Sequence, residues 1–438
     1  MDTRLIENKD GQSISRRRFL KLSAAVCAVA ATPPMLIGCS KTVNYPSNDC
    51  LAEFGSVSAV AEKKVFETAY LGPIKIKNRL IRSATSLMAA DDFGRPTSKL
   101  LDLYSELGEG GVGTIITGME DGGLMVDNTT FRDADMDAYR KVPQVIHQYG
   151  AAAIQQISHK GSQIKGLSDE SLYSLNRLSG LEIEQLIQQF VKNIDRSRQM
   201  GFDGAQLHGA HGYLLSEFLS PAQNRRTDKW GGSTGNRFRF IGEIIKRSKQ
   251  KHSDFPIFIK INGYDFQKNG MREPEAVKIA KLLEKAGCDG IEVSCGVGRD
   301  GFSIVRTPEL PIDAILELTP YREKSSVAKF FISMGARYKL KSYTPLYNYN
   351  VCAASEIKKN VSIPVMVVGG IRTLQDMQTI VVNNLADFVS MGRPFIIEPG
   401  IVNSLKHKSQ TESACIDCGY CLLSATIKDV RCFYGEIS

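Results

Sequence analysis

From Val65 onward, short apolar runs alternate with amphipathic stretches. The apolar runs are Leu80–Ser83, Thr114–Thr117, Ala152–Ile157, Gly204–Leu207, Ile257–Ile261, Gly290–Val293, Val365–Val368 and Asp387–Ser390. Each is short and mostly bounded by Gly, Pro or polar residues, the mark of a strand. Helical periodicity fills the intervals, for example at Glu182–Met200, Asn236–Lys251, Glu273–Ala286 and Leu374–Asn383. This rhythm predicts parallel βα units, and eight of them close a (β/α)8 TIM barrel. An open doubly wound sheet is the alternative. It would normally carry a Gly-rich turn after its first strand, and Leu80–Met88 contains no glycine.

In such a barrel the chemistry sits where strands end on the C-terminal face. The unusual polar residues fall at those ends: Ser83 and Ser86, Gly118, Gln156 and His159, His208 and His211, Lys260 and Asn262, Gly369-Gly370, and Gly392-Arg393. They are expected to converge on one mouth. The stretch from Arg299 to Asn350 is long for a βα loop and rich in Tyr and Phe. It reads as a lid or wall over that mouth, with some helix of its own.

The N-terminus has a different texture. Ser15-Arg16-Arg17-Arg18-Phe19-Leu20-Lys21 precedes a small apolar run, Leu22 to Ala31. A charged region, a short apolar region and a small-residue exit mark a secretory signal, and the paired arginines look like a twin-arginine one. The run is too short to span a bilayer. Leu36-Ile37-Gly38-Cys39 resembles a bacterial lipobox, in which Cys39 becomes the lipid-bearing first residue. The expected organisation is therefore a signal over 1–39, a polar tether over 40–62, a barrel over 63–405 and a Cys-rich tail over 406–438. The destination is a periplasmic or cell-surface lipoprotein anchored to a membrane. The 438 residues are 42% hydrophobic and 23% charged, which excludes a disordered, collagen-like or disulfide-scaffold chain. The net charge of +8 comes without a basic, aromatic-interleaved block, so no nucleic-acid partner is expected.

The run Gly204-Ala205-Gln206-Leu207-His208-Gly209-Ala210-His211-Gly212-Tyr213-Leu214-Leu215 carries the most chemistry. Two histidines three apart at a strand end can both donate to one anionic oxygen, and Tyr213 can reach the same ligand. That set suits a reaction that builds negative charge on a carbonyl oxygen and then needs a proton. The run resembles the Old Yellow Enzyme family of FMN-dependent ene-reductases. The resemblance continues through Ser216–Pro221, Asn224–Ser233 and Asn236-Arg237, and includes Asn78-Arg79, Asp92–Thr97, Gly110–Gly113, Val368–Ile371 and Met391–Pro394. It implies that His208 and His211 bind the substrate's electron-withdrawing oxygen, with His208 also near the flavin, and that Tyr213 donates the proton while flavin N5 delivers hydride. It further implies that Gln156 bonds the flavin pyrimidine edge. Lys260 stands where the family usually has Arg near N1 and O2. Ser83, Ala84 and Thr85 pass backbone along the ring, with Ser86 near its C4 oxygen and Gly118 also on the cofactor. Gly369, Gly370, Gly392 and Arg393 cradle the phosphate. The expected substrate is a small activated alkene; an amine-oxidising dehydrogenase and a ligand-binding lipoprotein without turnover are the alternatives.

There are 10 cysteines. Cys27 and Cys39 belong to the signal. Cys50, Cys288, Cys295 and Cys352 show no spacing pattern and read as ordinary thiols. Cys415, Cys418, Cys421 and Cys432 could wrap one metal centre. They resemble the 4Fe–4S tail of the dienoyl-CoA reductase and trimethylamine dehydrogenase branch, where a longer spacing usually precedes the third cysteine. Zinc, disulfides and free thiols stay open. No second flavin or nucleotide domain is expected, so the electrons would come from NAD(P)H or from a membrane redox partner.

Overall fold

The eight expected strands form, and their two-residue period decides the architecture. In the computed structural model they are β1 (Leu80–Arg82), β2 (Thr114–Ile116), β3 (Ala152–Ser158), β4 (Gly204–Gly209), β5 (Ile257–Tyr264), β6 (Gly290–Cys295), β7 (Val365–Val368) and β8 (Phe388–Met391). The structure describes residues 41–44, 50–52, 61–91, 93–118, 123–126, 133–164, 174–427 and 429–437; the expected signal and Cys39 lie outside them. Every neighbouring pair is parallel, and β8 pairs back onto β1, so the sheet closes as a TIM barrel.

One set of alternate residues faces the surrounding helices: Ile115, Ala205, Leu207, Ile259, Ile261, Ile291, Val293 and Val367 are buried there. The other set points inward. At the N-terminal end of the barrel the inward set is apolar, with Ile81, Ile116, Ile154, Phe258, Met366 and Phe388 in one cluster. The antiparallel hairpin Ala69–Leu71 and Ile74–Ile76 caps that end and packs its Ala69, Leu71 and Ile76 into the same cluster. Phe258 needs room, which the two glycines that open β4 and β6 provide. A Cβ at Gly204 would stand 2.9 Å from the Phe258 ring, and one at Gly290 3.1 Å. Two residues further along β3, β4, β5, β6 and β8 the inward positions turn polar: Gln156, Gln206, Lys260, Glu292 and Ser390 are all buried. The barrel is thus plugged below and polar above.

The helices fall where periodicity predicts them: Gly180–Gln199, Thr234–Lys251, Glu273–Lys285 and Leu374–Val382. The first starts with a capping box between Ser179 and Glu182. The insertion between β6 and β7 has helices of its own, Ile312–Glu317 and Ser326–Lys339, and a strand, Lys341–Thr344. Its Ile312, Ile315 and Ala336 pack with Leu423 and Phe433 of the tail, so insertion and tail share a small core.

Two features correct or sharpen the sequence reading. Cys50 and Cys352 are not ordinary thiols but a disulfide, whereas Cys288 and Cys295 are buried free thiols. Their sequence separation of 302 explains why spacing gave no hint. Within the segment expected as a tether, Lys41–Asn44 is a strand paired in parallel with Lys341–Thr344.

Candidate active site

The mouth is built from the polar ends of β1 and β3–β6, with β8 beside them. At its floor five side chains from five strands form one buried chain. Gln156 Nε2 donates to Gln206 Oε1 at 2.8 Å, and Gln206 Nε2 donates to Glu292 Oε2 at 2.7 Å. Glu292 Oε2 lies 3.3 Å from Lys260 Nζ, which donates to Ser83 Oγ at 2.9 Å. The pairing register puts Gln156 opposite Gln206 and Lys260 opposite both His208 and Glu292. Glu292 Oε1 has no hydrogen-bond partner within the protein. Ser83, Gln156 and Lys260 were expected here; Gln206 and Glu292 were not. The signal was available: an acid or amide inside an otherwise apolar strand must face something polar.

Above this floor stand His208, His211 and Tyr213. The His208 ring centroid lies 5.1 Å from that of His211, edge to face, and 4.6 Å from that of Tyr213. Burial first, then the neighbouring His211 and Lys260, holds His208 well below the ordinary histidine range. Burial and Lys260 push His211 down to about 3. Both imidazoles are therefore neutral at pH 7, and each can carry one N–H. His208 Nδ1 is buried and has no protein partner. His211 Nε2 lies 2.8 Å from Ser294 Oγ, a neutral group.

His211 has φ +63°, a conformation that costs a non-glycine residue energy and is held from several sides. Its N–H donates to Asn262 Oδ1 at 3.2 Å, and its carbonyl accepts from Gly298 N–H at 2.8 Å. Asn262 Nδ2 donates in turn to the Gly296 carbonyl at 2.7 Å. The ends of β4, β5 and β6 are thereby locked together under the histidine.

The loop after β1 closes the opposite side. Arg82 is buried and donates to the carbonyls of Ile116 at 3.1 Å and Thr85 at 2.9 Å, fixing Ser83–Ser86. Ala84 packs partly on the barrel's apolar plug, and Ser86 Oγ donates to Met88 Sδ at 3.7 Å. A Cβ at Gly118 would stand 2.3 Å from the Thr85 carbonyl, so this close approach needs glycine. His159 is buried at the end of β3, where its Nδ1 accepts from Gly161 N–H at 2.9 Å and its carbonyl from Leu214 N–H at 3.0 Å. That is a scaffold role. Asp228 and Trp230 likewise brace the strand-four loop, with Trp230 N–H donating to Asp228 at 3.1 Å.

Residues 64–296 and 321–412 match the NADH:flavin oxidoreductase / NADH oxidase family. The chain belongs to that family. Membership in this flavin oxidoreductase family makes it an enzyme and carries FMN binding with it. An NADH oxidase of Thermoanaerobacter brockii is 30% identical over 394 residues, which are 84% of this chain but only 54% of that protein. The chain therefore spans about half of that relative's length. An old yellow enzyme homologue from Zymomonas mobilis superposes with a TM-score of 0.61 at 19% identity, over 84% of this chain and 99% of that one. Histamine dehydrogenase from Rhizobium sp. 4-9 superposes at 0.69 and 20%, over 85% and 52%. These likenesses are of fold. Residues 13–33 match the twin-arginine translocation signal, which gives the flavin oxidoreductase an export route.

The mouth fits a flavin by its own chemistry: an unpartnered buried imidazole nitrogen, a buried cation, and space beside Gly392, where a Cβ would meet nothing nearer than Thr85 Oγ1 at 3.4 Å. The expected phosphate cradle is more crowded. Gly370 is covered by Leu346 and Tyr347, and its carbonyl accepts from Asn348 N–H at 3.3 Å. Arg393 donates to the Arg306 carbonyl at 2.9 Å and pairs with Asp417 at 2.7 Å; Arg372 pairs with the same carboxylate. Burial pulls the Arg393 pKa down, but Asp417, Tyr349, Cys415 and Cys421 together more than offset it and the net shift is upward. Arg306, buried and stacked 4.0 Å over Tyr349, donates to the Tyr264 hydroxyl at 2.7 Å and fastens the insertion to the barrel. Neither Arg306 nor Asp417 was expected.

Cys415, Cys418, Cys421 and Cys432 line one pocket with Arg393. Burial raises the Cys418 and Cys421 thiols, the latter to about 12. Among the described residues, no three His, Cys, Asp or Glu side chains are gathered closely enough to hold a metal ion.

Proposed function

We propose that this flavin oxidoreductase reduces activated carbon–carbon double bonds outside the cytoplasmic membrane, anchored by a lipid on Cys39. The carrying observation is the neutral His208–His211 pair beside Tyr213, above the buried Lys260. FMN, when bound, supplies hydride to the alkene Cβ. Gln156, Lys260 and the Ser83–Ser86 backbone would hold its ring, with Gly118 and His208 beside it, and Gly369, Gly370, Gly392 and Arg393 its phosphate. His208 and His211 donate hydrogen bonds to the carbonyl oxygen of an enone, which withdraws electrons from the double bond. Neutral imidazoles suit this, because they lend an N–H without protonating the oxygen. Tyr213 then delivers its phenolic proton to Cα. Electrons come from NAD(P)H or a membrane redox partner. No step runs through the tail cysteines; iron and sulfide content of anaerobically prepared protein decides between a cluster and four thiols.

The test is anaerobic mixing of chemically reduced holoprotein with a cyclic enone, followed by flavin absorbance. Reoxidation matched by saturated product supports the reading. Reoxidation by oxygen alone, with flavin reduction by an amine, overturns it in favour of amine dehydrogenation.

A further inference from the structure

Only Gly335 and Ala336 of the helix Ser326–Lys339 are buried, with Ile332 and Met334 half-buried beside them. Its Val327, Phe330, Phe331 and Tyr338 are 68%, 60%, 53% and 59% exposed. Val327, Phe331 and Tyr338 recur at helical spacing and form one stripe, with Phe330 beside it. Residues 321–341 also hold six Lys and Arg against one Glu, in a chain whose whole net charge is +8. An aromatic stripe flanked by cations fits the headgroup layer of an anionic bilayer.

The chain's own topology says what covers this face. Lys41–Asn44 pairs with Lys341–Thr344, with Lys41 opposite Lys341. Lys341 lies two residues beyond the end of the helix. Cys39 precedes Lys41 by two residues, a reach of at most about 7 Å. The Cys50–Cys352 disulfide fastens the same segment to the barrel a second time. A lipid on Cys39 would therefore enter the bilayer near the C-terminal end of this helix, where Tyr338 is exposed.

We infer that Ser326–Lys339 is an interfacial helix that lies on an anionic membrane surface and orients the barrel on it. The placement beside the anchor rests on the lipid reading of Cys39; the helix face does not. No described helix is long and apolar enough to cross a membrane, so this is surface binding.

The test uses the full chain carrying Cys39→Ser, loaded with FMN, so that no acyl chain contributes. Co-sedimentation is measured with vesicles of phosphatidylglycerol in phosphatidylcholine, and with phosphatidylcholine alone. The inference expects binding to the anionic vesicles, weakened by salt and lowered about tenfold or more by Phe330→Ser with Phe331→Ser. Retained flavin absorbance shows that the variant is folded. No vesicle binding, or binding unchanged in the variant, overturns it. So does a concentration-dependent dimer that the variant abolishes without any lipid binding, since the stripe would then cover a second copy. Mass spectrometry of membrane-extracted wild-type protein tests acylation of Cys39 separately, so the anchor and the helix fail independently.

Discussion

Lys260 Nζ sits 3.3 Å from Glu292 Oε2, and the glutamate has no exposed surface at all. A buried cation under an electron acceptor favours its reduced anion, and a carboxylate beside that cation opposes it. Glu292→Gln keeps the shape of the side chain but removes the charge. It should raise the FMN midpoint potential by tens of millivolts, where about 30 mV corresponds to 1.4 kcal/mol for a two-electron couple. Lys260→Met should lower the potential and cost about 3–5 kcal/mol of stability, because it strands a buried carboxylate. Spectroelectrochemical titration of both variants checks this. Equal potentials in wild type and Glu292→Gln would remove the pair from flavin tuning.

Tyr213→Phe should slow oxidation of the reduced enzyme by an enone about 10²- to 10⁴-fold, the usual worth of a positioned proton donor. FMN content should not change, since the phenol has no part in the buried chain from Gln156 to Ser83. Stopped-flow traces of the two half-reactions separate these effects.

Most of this site was legible in the sequence, for physical reasons. The His208–Tyr213 run combines small residues with imidazoles and a phenol at a strand end, a composition that packing alone does not call for. The strand period put Gln156 and Lys260 on the inward face. Glu292 sits within Ile-Glu-Val, where an acid in an apolar strand signals a polar surrounding but not which residue, here Lys260, supplies it. Asp417 and Arg306 lie in irregular segments, and only the folded chain shows that they meet Arg393.

The histidine pair should set an acid limit on stability. His208 and His211 are lowered in the folded state, so below about pH 6.5 the unfolded chain takes up protons that the folded chain refuses. The stability they allow is fully present above that pH and is lost as pH falls toward about 3 for His211. At full effect the slope approaches about 1.4 kcal/mol per pH unit for each histidine. His147 beside Asp203 is raised and works in the opposite sense, but it is a single group. Denaturant melts at pH 7.5 and 5.5 should show a loss that His208→Asn reduces; a loss of the same size in that variant would place the acid sensitivity elsewhere.

Asp417 gathers two buried arginines, Arg372 and Arg393, from the ends of β7 and β8 onto the tail. Asp417→Asn should release the tail from the barrel mouth, at a cost of about 3–5 kcal/mol. Limited proteolysis should then cut within 406–438 much faster than in wild type, while the barrel persists as a resistant fragment. Unchanged cleavage would mean that the small core around Leu423 and Phe433 holds the tail by itself.

The Cys50–Cys352 bridge joins the segment that follows the export signal to the first turn of the helix Val351–Lys358. Twin-arginine export moves folded protein, and a disulfide persists only in an oxidising compartment. The barrel must therefore be stable before the bridge closes, and the bridge adds to it afterwards. Protein collected from the cytoplasm should titrate four more thiols than exported, acylated protein: Cys50 and Cys352 through the bridge, and Cys27 and Cys39 through signal removal and lipidation. Reducing the exported form should lower its unfolding free energy by about 2–5 kcal/mol, the usual range for a bridge closing a long loop. Cys352→Ser should reproduce that loss and become insensitive to reductant. If instead the difference is only the two thiols of Cys27 and Cys39, the segment around Cys50 is held by the Lys41–Asn44 strand and not by sulfur.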